Sequence, residues 1–100
     1  MAKDPIPQID RDLVPERVAI GRNVRSIRDW RDLRQEALAE ATGVHAVQIS
    51  RVENGATGVG VDTYILLARG LRVPLHWLFT SDWPQFVADG EVAVPHHPDI

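Results

Sequence analysis

The chain has 100 residues and no cysteine, so it can form one small domain that is held by packing alone, without disulfide bonds or thiolate metal sites. No apolar run comes near the roughly 20 residues of a membrane-spanning helix, and the acidic, proline-rich start is unlike a signal peptide, so we expect a cytoplasmic protein with no membrane partner. The net charge of -3 argues weakly against a nucleic-acid ligand, because phosphate contacts depend on lysine and arginine.

The first predicted element is a helix that begins near Glu16. Prolines at positions 5, 7 and 15, with scattered charges, make residues 1–15 a flexible arm rather than a helix. After the arm, Ile20, Val24 and Ile27 have the i, i+4, i+7 spacing of a helix with one buried stripe, while arginines line the other faces. The arm is therefore expected to lead into a core helix.

Two short helices follow, with a tight turn between them. RQEALAEATG, residues 34–43, contains strong helix formers and ends at a glycine that suits a left-handed C-terminal turn. Residues 45–54 form the second helix, in which Ile49 and Val52 would face the core. The opposite face must meet solvent or a partner, and it consists of Val47, Ser50, Arg51 and Asn54, with Ala46 beside it.

Two more helices complete the predicted domain. The glycine-rich connection GATGVG, residues 55–60, leads into a largely apolar helix at 61–70. A short helix at 73–79 follows, and it tolerates Pro74 in its first turn. We therefore predict a compact all-α fold of five helices over residues 16–80.

The tail, residues 81–100, is expected to be non-helical or partly β, with one candidate strand at 91–94. Tryptophan and phenylalanine side chains often anchor protein interfaces, so Trp83 and Phe86 are candidates for a dimer or partner surface. The alternative is that the tail folds back on the domain and contributes to its own packing.

Positive charge is concentrated in the middle of the chain. Residues 17–55 hold seven arginines and five acidic residues, a net of +2, whereas the segments on either side are acidic. Arginine suits bidentate contacts to phosphate and to guanine better than lysine does. The segment that contains the second short helix therefore favours an anionic partner, in spite of the negative charge of the whole chain.

Several short motifs between Arg17 and Phe79 are shared with a known family. They are the Gln-x-x-Leu-Ala signature at 35–39, the Glu-Asn-Gly at 53–55, and an Ala-x-x-Leu-x-Val segment followed by Trp-Leu between 68 and 78. On these residues the chain resembles the phage-repressor-like, or Xre-type, helix-turn-helix family. The resemblance implies a lambda-repressor-like fold. It also implies a bacterial transcription regulator that binds double-stranded DNA as a homodimer, with helix 45–54, the recognition helix, in the major groove.

The resemblance also implies roles for individual residues. Gln35 would donate to a phosphate. Arg28 would form a partly buried ion pair with Glu53, whose place near a helix C-terminus calls for a compensating cation. The alternative for Glu53 is a solvated charge. The residues that would meet bases are Ala46, Val47, Gln48, Ser50 and Arg51.

The recognition helix departs from the family in the side chains that it offers to bases. Ala46 and Val47 cannot form hydrogen bonds with a base edge, although either can pack against a thymine methyl group. Hydrogen-bonded readout then falls mainly on Arg51, whose pairing with guanine is worth roughly 1–3 kcal/mol, with Ser50 and Gln48 as lesser contributors. We therefore expect modest specificity from a single copy of the domain.

Two further departures concern the helix starts and the loop after the recognition helix. Arg34 and His45 stand where the family has serine or threonine caps. Either Asp32 and Thr42 cap instead, or each helix start is weaker by about 1 kcal/mol. The loop at 55–61 carries no charge, whereas relatives have basic residues there. Phosphate contacts would then come from Arg22, Arg25, Arg31, Arg34, Gln35 and Asn54.

Two other functions compete with the regulator. An antitoxin would bind DNA and also capture a toxin through its tail, whereas a domain that has lost DNA binding would serve only in protein contacts. An enzyme is not expected, because no nucleophile has a plausible base and the glycine-rich loop lacks the lysine of a nucleotide site. Neither a cofactor nor a metal site is expected, since His96 and His97 in the tail are weak indications by themselves.

Overall fold

Six helical segments make up the described part of the chain, which is residues 5–88 and Gly90 of this computed structural model. In chain order they are α1 Val14–Trp30, α2 Gln35–Thr42, α3 Ala46–Glu53, α4 Val61–Leu71, a 3₁₀ helix Leu75–Phe79, and α5 Trp83–Ala88. This part of the chain contains no strand, and the predicted all-α class is confirmed. Within the same residues, no helix is long and apolar enough to cross a membrane.

The first helix, α1, begins at Val14 rather than near Glu16. Asp12 accepts a hydrogen bond from the Val14 backbone N–H at 3.1 Å, and Asp10 accepts one from the Asp12 N–H at 2.9 Å. These turns bring the chain into a helix whose first turn contains Pro15, where a missing N–H costs no hydrogen bond. The proline expected to delay the helix therefore lies inside its first turn.

The hydrophobic core lies where the helices α1 to α4 meet the 3₁₀ helix. Val24 and Ile27 of α1 and Ile49 and Val52 of α3 are buried, as their spacing predicted. The largest fully buried side chains are Trp77, Ile27, Leu38, Ile49, Leu67, Leu71, Leu78, Val24 and Val52. Because one face of α3 is occupied by this core, its opposite face is left at the surface.

The helices α1 and α3 are in close contact at Gly21. A Cβ atom on Gly21 would collide with the carbonyl oxygen of Val52 and would lie 2.6 Å from that of Glu53. Only glycine therefore lets the α1 backbone touch the last turn of α3. This contact determines how far α3 stands from α1 and so positions the exposed face of α3.

Arg31 is buried, which corrects the expectation that it contacts phosphate. The residue is 5% exposed, and its side chain donates from Nε to the Leu71 carbonyl and from Nη2 to the Arg72 carbonyl, both at 2.8 Å. The guanidinium also lies 4.4 Å from the centre of the Trp30 ring. Burial, and then repulsion from Arg72, lower the pKa of Arg31 from its ordinary value. Arg31 binds the carbonyl end of α4 and has no surface left for DNA.

The start of the tail is helical, which corrects the expectation of a non-helical tail. Pro84 is the second residue of α5, a position at which a helix tolerates proline. Trp83 is 9% exposed and packs on Trp30 and Trp77, with ring centres 5.3 and 5.9 Å apart. The tail folds back on the domain here, so Trp83 is not available as an interface anchor.

Phe86 is half-buried on the same aromatic cluster. Its ring centre lies 6.1 Å from that of Trp77 and 5.4 Å from that of His76. The candidate strand at 91–94 and the tail histidines His96 and His97 lie outside the described residues. The described part of the tail therefore extends the core.

Candidate DNA-binding surface

The turn between α2 and α3 is held by the side chain of Thr42. Its hydroxyl donates to the Leu38 carbonyl at 2.7 Å and accepts from the Val44 N–H at 3.1 Å. Gly43 follows with a φ of 75°, a left-handed conformation that glycine adopts at little cost. These contacts end α2 at Thr42 and leave three residues, 43–45, before α3 begins at Ala46.

His45 caps α3 with its own side chain, whereas we expected either a cap from Thr42 or a weaker helix start. Its Nδ1 accepts a hydrogen bond from the Val47 N–H at 3.2 Å. Thr42, expected as a substitute cap, serves the preceding turn instead, and Arg34 makes no side-chain cap at the start of α2. The helix that carries the candidate base contacts therefore starts from a capped end.

The exposed face of α3 carries the five residues predicted to meet bases. Val47 is 53% exposed and Arg51 is exposed one turn later, while the other three residues are half-buried. Beside them runs a groove of about 450 Å³ between α3 and the loop that follows it. Its lining residues are His45, Val47, Gln48 and Arg51 on the helix side and Thr57, Gly58 and Val59 on the loop side.

An ion pair joins α1 to the last residue of α3. Arg28 Nε lies 2.7 Å from Glu53 Oε2, and Nη2 lies 2.9 Å from Oε1. The remaining Arg28 nitrogen, Nη1, donates to the Leu33 carbonyl at 2.7 Å. The hydrogen bonds to Glu53 raise the pKa of Arg28 above its ordinary value. This ion pair and the Gly21 contact both hold the C-terminal end of α3 against α1.

Gln35 joins the same network from the start of α2. Its Nε2 donates to Glu53 Oε1 at 3.0 Å. A side-chain amide has two N–H protons, so the second one can still meet a phosphate. The role of Gln35 as a phosphate contact stays a prediction.

The helices α2 and α3 are short, a turn with a capped end joins them, and the outer face of α3 is exposed. An ion pair holds the end of α3 in place. This arrangement is a helix-turn-helix unit. Residues 24–78 match the model of the HTH_3 family, described as helix-turn-helix. This chain belongs to that helix-turn-helix family. The resemblance to Xre-type domains is thereby confirmed, and the chain is a DNA-binding transcriptional regulator.

Curated relatives and a solved structure agree with this assignment. The control protein C.SmaI of Serratia marcescens is 35% identical over 75% of this chain and 89% of its own length. The HTH-type transcriptional regulator y4aM of Sinorhizobium fredii is 33% identical over 67% of this chain and 46% of its own. The crystal structure of the restriction-modification controller protein C.AhdI from Aeromonas hydrophila superposes with a TM-score of 0.64 and 29% identity, covering 65% of this chain and 98% of that one.

The predicted phosphate contacts are spread around the helix-turn-helix unit. Arg25 and Asn54 are exposed. Arg34 lies in a groove at the start of α2 together with the acidic residues Glu36 and Glu40. Arg22 lines a different groove, with Phe79, Thr80 and Ser81. The structure therefore does not bring Arg22 together with the exposed face of α3, and all four roles stay predictions.

Arg17 lies next to the uncharged loop and was not among the predicted contacts. A Cβ atom on Gly58 would lie 3.4 Å from Arg17 Nε and 3.7 Å from Nη2. Arg17, Gly21, Val24 and Arg28 are spaced by four, three and four residues, which places them on the side of α1 that meets α3. That spacing was the available signal, because a cation on this side must lie near the end of α3.

Proposed function

We propose that this helix-turn-helix regulator binds a specific DNA sequence as a homodimer, with α3 in the major groove. The observation that carries the proposal is the exposed Arg51 on the outer face of α3, where it lines a groove of about 450 Å³. Arginine pairs with the O6 and N7 atoms of guanine, which is the commonest specific contact in the major groove. The ion pair between Arg28 and Glu53 supports this role, because it holds α3 in one position.

A dimer follows from the size of the domain. A single small module buries too little surface for tight specific binding, so two copies would read half-sites about 34 Å apart on a pseudo-palindrome. With Trp83 buried in its own chain, the dimer contact must lie elsewhere on the surface. We further propose a repressor or controller of nearby genes in the cytoplasm, because similarity to two controller proteins extends over 89% of one and 98% of the other.

Arg17 is proposed as the residue that supplies the charge missing from the loop. Arg17 is half-buried, and its guanidinium lies against Gly58, where the loop carries no cation of its own. A phosphate that approached the glycine amides would meet Arg17 at the same point. This placement compensates for the absence of basic residues between Gly55 and Val61.

The test begins with selection of genomic fragments bound by the purified full chain. The best fragment is then titrated with the wild type and with Arg51→Ala, and Arg69→Ala serves as the control because Arg69 is an exposed arginine of α4 outside the α3 groove. A palindromic site whose preference for one guanine relaxes only in Arg51→Ala supports the proposal. Weak binding that is blind to sequence and equal in all three proteins would falsify it, and partners of the tail, including a toxin, would then be sought.

The phosphate contacts are tested by the dependence of affinity on salt. Each lost contact reduces the slope of log K against log salt by about 0.9. We expect that reduction for Arg17→Ala on every sequence, and the same titration of Arg22→Ala tests the contact predicted from sequence. An unchanged slope in Arg17→Ala would remove Arg17 from the DNA surface.

A further inference from the structure

We propose that the groove beside α3 recognises a C5-methyl group on the pyrimidine next to the guanine that Arg51 contacts. Thymine carries this methyl group, and cytosine acquires it on methylation. The inference rests on the proposed function, because it requires α3 to lie in the major groove. Val47, whose side chain cannot form a hydrogen bond, supplies the apolar contact to this methyl group.

Val47 presents a rigid apolar surface where a base edge would arrive. It is the second residue of α3 and is 53% exposed, although its N–H is held by His45. A β-branched side chain in a helix has one strongly preferred rotamer, so little conformational entropy is lost when it makes a contact. The Val47 side chain is therefore preorganised for an apolar contact.

The loop side of the groove also presents an apolar side chain that is anchored. Val59, on the loop that follows α3, lines the groove and packs against the hydrophobic core. A group inserted between Val47 and Val59 would lose water on two sides. Among the four base pairs, the C5-methyl group of thymine is the apolar substituent that the major groove offers.

The spacing of Val47 and Arg51 matches two neighbouring bases. Side chains four residues apart on a helix have Cβ atoms about 5–6 Å apart, and successive bases on one strand are about 3.4 Å apart along the DNA axis. The longer arginine side chain accommodates the difference. A guanine bound by Arg51 therefore places its neighbour next to Val47.

Each base that this site prefers differs from an otherwise identical base by the methyl group alone. Thymine and deoxyuridine have the same hydrogen-bonding groups, as do 5-methylcytosine and cytosine, and each pair differs only by the methyl group. Burial of one methyl group strengthens binding about fourfold. We expect this ratio within both pairs of bases.

The experiment uses the best selected duplex, with thymine, deoxyuridine, cytosine or 5-methylcytosine placed beside the guanine identified through Arg51→Ala. Affinities are measured for the full-length wild type, for Val47→Ser and for Val61→Ser. Val61 is a matched control, because it is 62% exposed in the first turn of α4 and does not line the groove. Circular dichroism verifies that both variants are folded.

A fourfold advantage of the methylated base that persists in Val61→Ser and disappears in Val47→Ser supports the inference. An advantage confined to thymine identifies thymine as the source of the methyl group, whereas one that extends to 5-methylcytosine makes binding sensitive to DNA methylation. Specific binding with equal affinity for all four bases overturns the inference and leaves the proposed function intact. Failure to bind any duplex overturns both.

Discussion

Arg28 in α1 and Glu53 at the end of α3 form a bidentate ion pair, with nitrogen-to-oxygen distances of 2.7 and 2.9 Å. The two side chains are only 11% and 2% exposed. Gln35 donates to the same carboxylate from the start of α2. Together with Gln35, the pair therefore connects α1, α2 and α3 at one point. Removing one partner lowers the free energy of unfolding, because it leaves the other charge uncompensated where little water reaches it.

We expect Glu53→Ala to lower the free energy of unfolding by about 3–5 kcal/mol, because Arg28 would stay buried without its partner. Urea unfolding followed by circular dichroism measures the change. The double variant Arg28→Met, Glu53→Leu should recover most of the loss, since it removes both charges together. A loss below about 1 kcal/mol in the single variant would mean that the pair behaves like a solvated one.

Gly21→Ala should destabilise the domain although alanine favours helices. A Cβ at this position would collide with the Val52 carbonyl oxygen, and the resulting shift should cost about 2–3 kcal/mol against a gain of about 1 kcal/mol in helix propensity. Gly60→Ser is the matched control, because nothing lies within 4 Å of a Cβ there and a serine would cap α4. Thermal unfolding should rank the control above the wild type and Gly21→Ala below it, and the reverse order would contradict the close contact.

Trp83→Ala should cost about 3 kcal/mol of stability, because the side chain packs on Trp30 and Trp77 within its own chain. Ile9→Ala, at a 69% exposed position, should change stability by less than about 0.5 kcal/mol. Unfolding measured over a range of protein concentrations distinguishes this role from an interface. A loss that varies with concentration would make Trp83 a dimer contact after all.

The elements of this fold could be predicted where a local pattern determines them. The spacing of Ile20, Val24 and Ile27 predicted α1, and Gly43 marked the end of α2. Arg31, the residue after α1, could not be distinguished from the arginines of α1, because its burial depends on where the distant α4 ends. The helix α5 was not predicted, because Pro84, its second residue, is by itself more typical of a helix breaker.

The exposed face of α3 was predictable for a similar reason, since a helix with one buried stripe must present its other side. The features that could not be predicted depend on how residues from different parts of the chain meet in space. Arg17 reaches the loop only because α1 and α3 touch at Gly21, and the cap made by His45 depends on how its ring turns back to the Val47 N–H. The spacing of Arg17 from Gly21 places it on the side of α1 that meets α3, but it does not encode the contact with the loop. Nothing in the sequence encodes the orientation of the His45 ring.

His45 should have two separable roles, as the cap of α3 and as a DNA contact. Because Nδ1 accepts from the Val47 N–H, the neutral ring carries its proton on Nε2, which is then a donor beside the α3 groove. His45→Ala should lose about 1 kcal/mol of stability, whereas His45→Ser should keep the cap and the stability. Both variants should bind the selected site roughly fivefold more weakly, the effect of one lost hydrogen bond. Urea unfolding and anisotropy titration measure the two effects, and wild-type affinity in His45→Ser would reduce His45 to a cap alone.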